Sequence, residues 1–169
     1  MRRFATAVGI ALALVLAPSS AAAQQATANA TVQASVVKPL ILTWVQDLDL
    51  GTVLLGTGSW STATVSLSRN GGFTCGANLT CSGARQVAIY NVSGSNKQVV
   101  RINAPNVSLV NQADPAQTLT LVVDKPASVT LTNSGPPGSN FSLGGSITLS
   151  SATAAGTYVG TFNVTVEYQ

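Results

Sequence analysis

The alternating residues 156–169, GTYVGTFNVTVEYQ, indicate the fold class of this chain. Apolar and polar side chains alternate along it, and successive side chains of a β-strand point to opposite faces of a sheet. The stretch therefore predicts one long strand with an apolar face and a polar face. Gly160 interrupts the apolar face, and a glycine inside a strand often marks a bulge or a close backbone approach. The apolar face consists of Tyr158, Phe162, Val164, Val166 and Tyr168.

A second alternating stretch covers residues 26–36, but its apolar side chains are small. They are Ala26, Ala28, Ala30, Val32, Ala34 and Val36. At about 25 cal/mol per Å² of buried apolar surface, alanine methyl groups stabilise a sheet little. Main-chain hydrogen bonds to an existing sheet edge would have to supply much of the binding, as in strand addition. We therefore predict an N-terminal, donor-like strand in residues 24–38, paired either within the chain or with a neighbour.

The first residues have the pattern of a secretory signal peptide. Arg2 and Arg3 precede a short apolar run at residues 8–17, and Ala23 ends a run of small residues. The apolar run is too short to span a bilayer. We predict cleavage after Ala23 and export to the periplasm, the cell surface or the medium. After cleavage we expect no transmembrane segment, and a single β-sandwich domain over residues 39–169.

Charge is scarce in this chain. The sequence has eight basic and five acidic residues, and removal of Arg2 and Arg3 leaves six against five. No basic cluster remains, so a nucleic-acid partner is not expected.

Many short alternating segments separated by Gly, Pro, Asn and Ser predict an all-β fold, arranged as an antiparallel sandwich.

Cys75 and Cys81 are the only cysteines. In an exported protein they are expected to form a disulfide, and the surrounding glycines place it in a surface loop or hairpin within residues 69–85. A metal site and a redox pair are the alternatives. The chain has no histidine, two thiolates alone do not complete a zinc site, and the spacing is not that of a redox motif.

Several motifs in a fixed order resemble one bacterial exported family. They are LDLGT at residues 48–52, VTLT at 129–132, AGTY at 155–158 and TFNVTVEY at 161–168. Together they resemble the domain of unknown function 4402 family over essentially the whole chain after the signal. More distantly, the chain resembles chaperone–usher pilins and spore-coat-U-like subunits. Those resemblances imply an incomplete immunoglobulin-like sandwich, completed by the N-terminal strand of a neighbouring subunit. Many pilins join an early strand to a later one by a disulfide, and the close Cys75–Cys81 spacing departs from that pattern.

Catalysis and cofactor binding have little support in the sequence. Without histidine, the common general base is missing, so we expect neither an enzyme nor a bound cofactor or metal. Asp47 and Asp49 could in principle form a carboxylate pair for glycoside hydrolysis or bind calcium. They are more simply polar positions at the start of a strand.

Two tryptophans have different predicted roles. Trp60 is an even number of residues away from the polar positions of the strand that follows, so it should lie on the same outward face. There it could contact a glycan or a partner subunit. The alternative is that Trp60 folds back over the end of the sandwich. Trp44 is an even number of residues away from Leu40 and Leu42, so it should lie on the same face of the strand. It is therefore predicted to be a core residue.

Taken together, these patterns predict a non-enzymatic structural subunit of a bacterial cell-surface fibre or coat that assembles by β-strand complementation. Its expected partners are further copies or related surface subunits, with a periplasmic chaperone as a possible third. One alternative is a monomeric or small-oligomer secreted or surface domain whose N-terminal strand pairs within its own chain. Another is a glycan-binding module that uses Trp60.

Overall fold

The computed structural model describes residues 25–169, which contain strands but no helix. The predicted signal peptide, residues 1–23, lies outside the described residues. The chain divides into two compact units, Met1–Ala34 and Ser35–Gln169. In the first unit, residues 25–34 are exposed and have no strand. No described helix has the length and apolarity that crossing a membrane requires.

The second unit contains the following strands in chain order. They are β1 (Ile41–Gln46), β2 (Thr52–Leu55), β3 (Ala63–Leu67), β4 (Phe73–Cys75), β5 (Leu79–Ser82), β6 (Ala88–Ser93), β7 (Val99–Asn103), β8 (Val107–Asn111), β9 (Thr118–Asp124), β10 (Ser128–Thr130), β11 (Ser139–Leu149), β12 (Tyr158–Val159) and β13 (Thr165–Tyr168).

The strands form one large sheet and two small ones, and all strand pairs are antiparallel. The large sheet has the order β1-β6-β11-β9-β8-β12, with β3 paired to β11 and β4 paired to β3. One small sheet is β10-β7-β13 and the other is β2-β5. This arrangement confirms the predicted all-β, antiparallel sandwich.

Two hydrophobic clusters lie between the layers. The first joins β6 and β11 of the large sheet to β7 of the three-stranded sheet, through residues such as Val92, Leu143 and Ile102. The second joins the other part of the large sheet to β2 and β5, around Val65 and Leu121. Each small sheet therefore covers its own part of the large one. Leu48, Val123 and Phe162 pack against both clusters.

β11 is the longest strand and joins the two parts of the large sheet. Its first residues pair with β6, and its last residues pair with β3 on the same side. Alternation alone favours two separate short strands here, at residues 141–143 and 147–149, on either side of Gly144 and Gly145. That interpretation was wrong, because Gly144 and Gly145 continue the ladder instead of ending it. An added Cβ at Gly144 would collide with the backbone of Leu67, so glycine allows the close approach of β3.

The prediction of one continuous C-terminal strand was also wrong. The segment forms two short strands, β12 on β8 and β13 on β7, separated by residues 160–164. An added Cβ at Gly160 would lie 2.7 Å from side-chain carbons of Val107 and Leu109. The chain therefore passes close to β8 at Gly160 and then changes sheets. The five apolar residues of the predicted face are half-buried, and the residues between them are exposed.

Candidate functional site

Two strands present a free edge on the same side of the first cluster. β1 pairs only with β6, and β13 pairs only with β7, among the residues that the structure describes. A strand edge without a partner presents unpaired backbone N–H and C=O groups, to which another strand can add. These two edges are therefore the candidate site.

Half-buried apolar side chains follow both free edges. They pack against the first cluster but are not fully covered. An added Cβ at Gly94 would meet the Tyr168 hydroxyl and Leu40 Cδ2, so the start of β1 and the end of β13 lie next to each other. We call this set the edge row: Leu40, Leu42, Phe162, Val164, Val166 and Tyr168.

The N-terminal arm, residues 25–39, is exposed along its whole length and contains no strand. Val32 and Val36, its largest predicted donor-face residues, are 92% and 93% exposed. A strand needs a partner for its hydrogen bonds, and a face of alanine methyl groups contributes little packing of its own. The arm is thus not a strand within the isolated chain, and its donation to a neighbour stays a prediction.

Two hydrogen bonds hold Lys38, the residue at which the arm meets the domain, and a third joins its two partners. The Lys38 N–H donates to Ser95 Oγ at 2.6 Å, and the Lys38 carbonyl accepts from the Tyr168 hydroxyl at 2.6 Å. The Ser95 N–H in turn donates to the same hydroxyl at 2.8 Å. Both backbone groups of Lys38 are therefore bound by side chains. We call this closed set of three bonds the Lys38 ring.

The carboxylates considered for catalysis form local hydrogen bonds. Asp47 accepts from the indole N–H of Trp44 at 3.0 Å, and Asp49 accepts from the Gly51 N–H at 2.8 Å. Within residues 25–169, no three His, Cys, Asp or Glu side chains lie close enough together to hold a metal ion. Each carboxylate thus accepts a hydrogen bond from a residue two or three positions away, as polar residues in turns do.

Comparison with known proteins places the chain in a family. The sequence profile of the domain of unknown function DUF4402 matches residues 40–168. The chain belongs to the DUF4402 family. The matched region begins at Leu40 and ends at Tyr168, so the DUF4402 domain contains both free edges, whereas the arm lies outside it. A comparison with curated proteins finds no match.

Trp60 of the DUF4402 domain is half-buried. Its ring packs against the second cluster, and its indole N–H donates to the Gly56 carbonyl at 3.2 Å. Ser151 Oγ also accepts from the Trp60 backbone N–H at 3.2 Å. Part of the ring is exposed, and contact with a glycan or partner stays a prediction.

Trp44 was predicted to be a core residue, and that prediction was wrong. It lies opposite Tyr90 on β6, on the same face as the core-facing Leu42, so its parity was read correctly. Its side chain is nevertheless 58% exposed. The register of β1 against β6 shifts just after Trp44. Alternation gives the face of a residue, but not whether the opposite layer reaches far enough to cover it.

The disulfide between Cys75 and Cys81 is present, as predicted. Its place in the fold differs from a simple loop, because Cys75 lies in β4 and Cys81 in β5. β4 belongs to the large sheet and β5 to the two-stranded sheet, so the bond joins two layers of the DUF4402 domain. Alternation at Phe73–Cys75 and Leu79–Ser82 was the available signal for these strands, but they are too short to stand out in a glycine-rich segment.

Proposed function

We propose that this DUF4402 protein is a non-enzymatic structural subunit of a bacterial cell-surface fibre or coat. It is exported, and it assembles by β-strand complementation with residues 26–36 as the donor strand. The observation that carries the proposal is the free edge of β13 beside the half-covered edge row, in a chain that also has an exposed, alternating arm.

The arm has the alternation of apolar and polar residues that pairing with the free edge of β13 requires. A strand added to β13 would satisfy its free backbone groups and cover the edge row from solvent. Alanine and valine side chains on one face of the arm can lie against half-buried residues without forcing them apart. The opposite face carries Thr27, Asn29 and Gln33, which suit a solvent-facing position. Main-chain pairing supplies most of the affinity, because the apolar contacts are small.

Chemical features of the domain support a structural role over an enzymatic one. The sequence has no histidine, and Asp47 and Asp49 accept local hydrogen bonds. A free apolar edge is also an aggregation hazard before assembly. A periplasmic chaperone that covers β13 until a neighbour's arm replaces it would remove this hazard.

Removal of the arm tests the proposal directly. A chain that lacks residues 24–37 should fail to polymerise and be poorly soluble alone, because its edge has no donor. A peptide of those residues should restore solubility. A wild-type protein that stays a monodisperse monomer, even after slow unfolding and refolding at high concentration, would overturn the proposed function.

A charge on the donor face gives a sharper comparison. Val32→Arg should block polymerisation, because an arginine would enter an apolar site without a partner. Gln33→Arg is the matched control, since residue 33 lies on the polar face and the same charge there stays in water. Light scattering and electron microscopy of both variants measure the effect, and equal polymerisation of the two would contradict the assigned donor face.

The second candidate function is that of a monomeric, glycan-binding surface domain, and the exposure of Trp44 favours it. An exposed indole beside Asp47 offers a stacking surface next to a hydrogen-bond acceptor. A glycan array, followed by Trp44→Ala and Trp60→Ala, tests this function and separates the two sites. An array without signal for the wild type would remove this candidate.

A further inference from the structure

An open cleft of about 760 Å³ lies beside the segment that joins β5 to β6. The end of β1, the end of β3 and the start of β4 line it together with that segment. Within residues 25–169, Arg85 is the only charged residue that lines it. We call it the Arg85 cleft, and it shares no residue with the edge row or the arm. Its larger side chains are those of Gln46, Leu67, Phe73, Arg85, Gln86 and Val87.

The Arg85 side chain is held in place at two points. Its guanidinium carbon lies over the Phe73 ring, 4.2 Å from the ring centre, in a cation–π contact. Its stem passes the backbone of Gly51, where an added Cβ would lie 3.2 Å from Arg85 Cγ. Gly51 has a φ of 77°, a conformation that favours glycine. A guanidinium fixed in this way loses little conformational freedom when it binds a ligand.

The guanidinium of Arg85 forms no ion pair with any carboxylate in residues 25–169, whereas Arg69 is paired with Asp124 at 2.7 Å. Arg85 is also exposed, so its N–H donors face solvent. A planar guanidinium can donate two parallel hydrogen bonds to the two oxygens of a carboxylate. The fixed and unpaired Arg85 therefore offers a binding group for a carboxylate from outside the chain.

Two glutamines add neutral hydrogen-bonding groups to the Arg85 cleft. Backbone hydrogen bonds of 2.8 and 3.0 Å join Gln86 to Asp49, so the LDLGT motif fixes the segment that carries Arg85. The side-chain N–H of Gln46 donates to the Val87 carbonyl at 2.8 Å, which leaves its amide oxygen as an acceptor in the cleft. Side-chain amides both donate and accept, so they suit the hydroxyl groups of a sugar.

The disulfide joins the two sides of the cleft. Cys75 lies two residues after Phe73, and Cys81 lies four residues before Arg85. The bond therefore ties the strand that carries the aromatic ring to the segment that carries the guanidinium.

We propose that the Arg85 cleft binds a sugar that carries a carboxylate, as the uronic acid units of acidic polysaccharides do. Arg85 binds the carboxylate, and the amides of Gln46 and Gln86 bind hydroxyl groups. The C–H groups of the sugar ring lie on Leu67 and Val87. A single cation favours a singly charged carboxylate over a phosphate, which proteins bind with several cations or with clustered backbone N–H groups. The inference does not rest on the proposed function, because the cleft contains neither the free edges nor the arm.

Titration calorimetry at low ionic strength tests the proposal, with trimers of galacturonic, glucuronic and mannuronic acid as ligands. At least one trimer should bind saturably to the exported protein. Its methyl ester is the matched control, since it keeps the hydroxyl groups and lacks the charge. The ester should bind about 10- to 100-fold more weakly, the usual loss for a charged hydrogen bond. Equal binding of acid and ester, or no binding of any trimer, would overturn the proposal.

Small anions separate a sugar site from a general anion site. Acetate and inorganic phosphate, at the same concentration as the trimer, should not displace it, because neither has the hydroxyl groups that the glutamines bind. Displacement by either anion would overturn the assignment to a sugar.

Arg85→Gln should weaken binding of the acid trimer by the same 10- to 100-fold or so. Arg101→Gln is the matched control, because it removes the same charge from β7, outside the cleft. Denaturant unfolding of both variants checks that the fold is kept. Trp44→Ala and Trp60→Ala should also retain binding, since neither tryptophan lines the cleft. Equal affinities of Arg85→Gln and Arg101→Gln would contradict the proposal.

Phe73 acts as a positioning residue, through its contact with Arg85. Phe73→Leu should weaken binding less than Arg85→Gln does, and Phe73→Tyr should restore it because the ring is kept. Without ligand, the NMR signal of the Arg85 Nε–H should move in Phe73→Leu, as the ring no longer lies beneath it. Wild-type affinity in Phe73→Leu would show that the ring does not position the guanidinium for binding.

Discussion

Cys75 and Cys81 are six positions apart, yet they lie in strands that belong to different sheets. The short ring that the bond closes restricts the unfolded chain, and the bond also holds the edge of the β2-β5 sheet against the large sheet. Cys81 packs against the second cluster, so the bond supports packing at that end of the sandwich.

Replacing both cysteines by serine should lower the free energy of unfolding by about 2 kcal/mol, from the entropy of closing so short a ring. Assembly should persist, because neither cysteine belongs to the edge row. Denaturant unfolding of the double variant measures the loss, and intact mass without reductant should show the wild type two hydrogens lighter than its reduced form. Free thiols in freshly exported protein would contradict the prediction.

Tyr90 is the residue whose ionisation the fold changes most clearly. Burial raises the pKa of Tyr90 above its ordinary value of 10.0, and the negative charge of Asp47 raises it further. The ring stacks on Phe141 with centroids 5.7 Å apart. The folded state therefore holds the phenolic proton more tightly than the unfolded chain does.

The stability that follows from this shift is fully present below the unfolded pKa of about 10, and it is lost as the pH rises through the higher folded pKa. We expect Tyr90→Phe to weaken the alkaline loss of stability, as measured by denaturant unfolding across alkaline pH. Asp47→Asn should lower the pKa of Tyr90 only partway towards 10.0, because burial is the larger cause. A pKa unchanged by Asp47→Asn would rule out the contribution of that charge.

At the scale of the elements, alternation located most strands, and glycines caused the main errors. β3 has the predicted alternation, since Ala63, Val65 and Leu67 are buried and Thr64 between them is exposed. In β11, Gly144 and Gly145 separate two short apolar runs in the sequence, yet they lie inside one strand and allow close packing. Strand order, the free edges and the Lys38 ring depend on contacts between distant residues, which no local pattern encodes. The edge row was predicted on the β13 side, whereas its β1 side and the exposure of Trp44 required the structure.

Gly144→Ala tests the close approach of β3 to β11. The added methyl group would collide with the backbone of Leu67, Ser68 and Arg69, which cannot move as a flexible side chain can. We expect a loss of about 1 to 3 kcal/mol in the free energy of unfolding, the usual cost of overpacking. Gly72→Ala is the control, because the nearest atom to its Cβ is the side-chain oxygen of Ser68. Equal effects of the two substitutions would contradict this account.

At the scale of the whole molecule, the two clusters should unfold together. Leu48, Val123 and Phe162 pack against both, so losing one cluster exposes part of the other. We therefore expect a single thermal transition with equal calorimetric and van't Hoff enthalpies. Phe162→Ala should lower the melting temperature and broaden or split the transition, whereas Val122→Ala, at a residue that is mostly exposed, should leave it single. Two transitions in the wild type would show that the clusters are independent.

β11 also sets the speed at which this protein can fold. It pairs with β3, β6 and β9, so strands that are widely separated along the chain must meet before the large sheet exists. Folding is slow when the stabilising contacts join residues that are far apart in sequence. The chain must first lose the entropy of closing long loops, and only then does it gain stability from those contacts. A freshly made chain of this kind remains unstructured for longer than a helical bundle of the same length. Under the proposed export, we expect this delay to keep the chain unfolded long enough to pass through a narrow translocation channel.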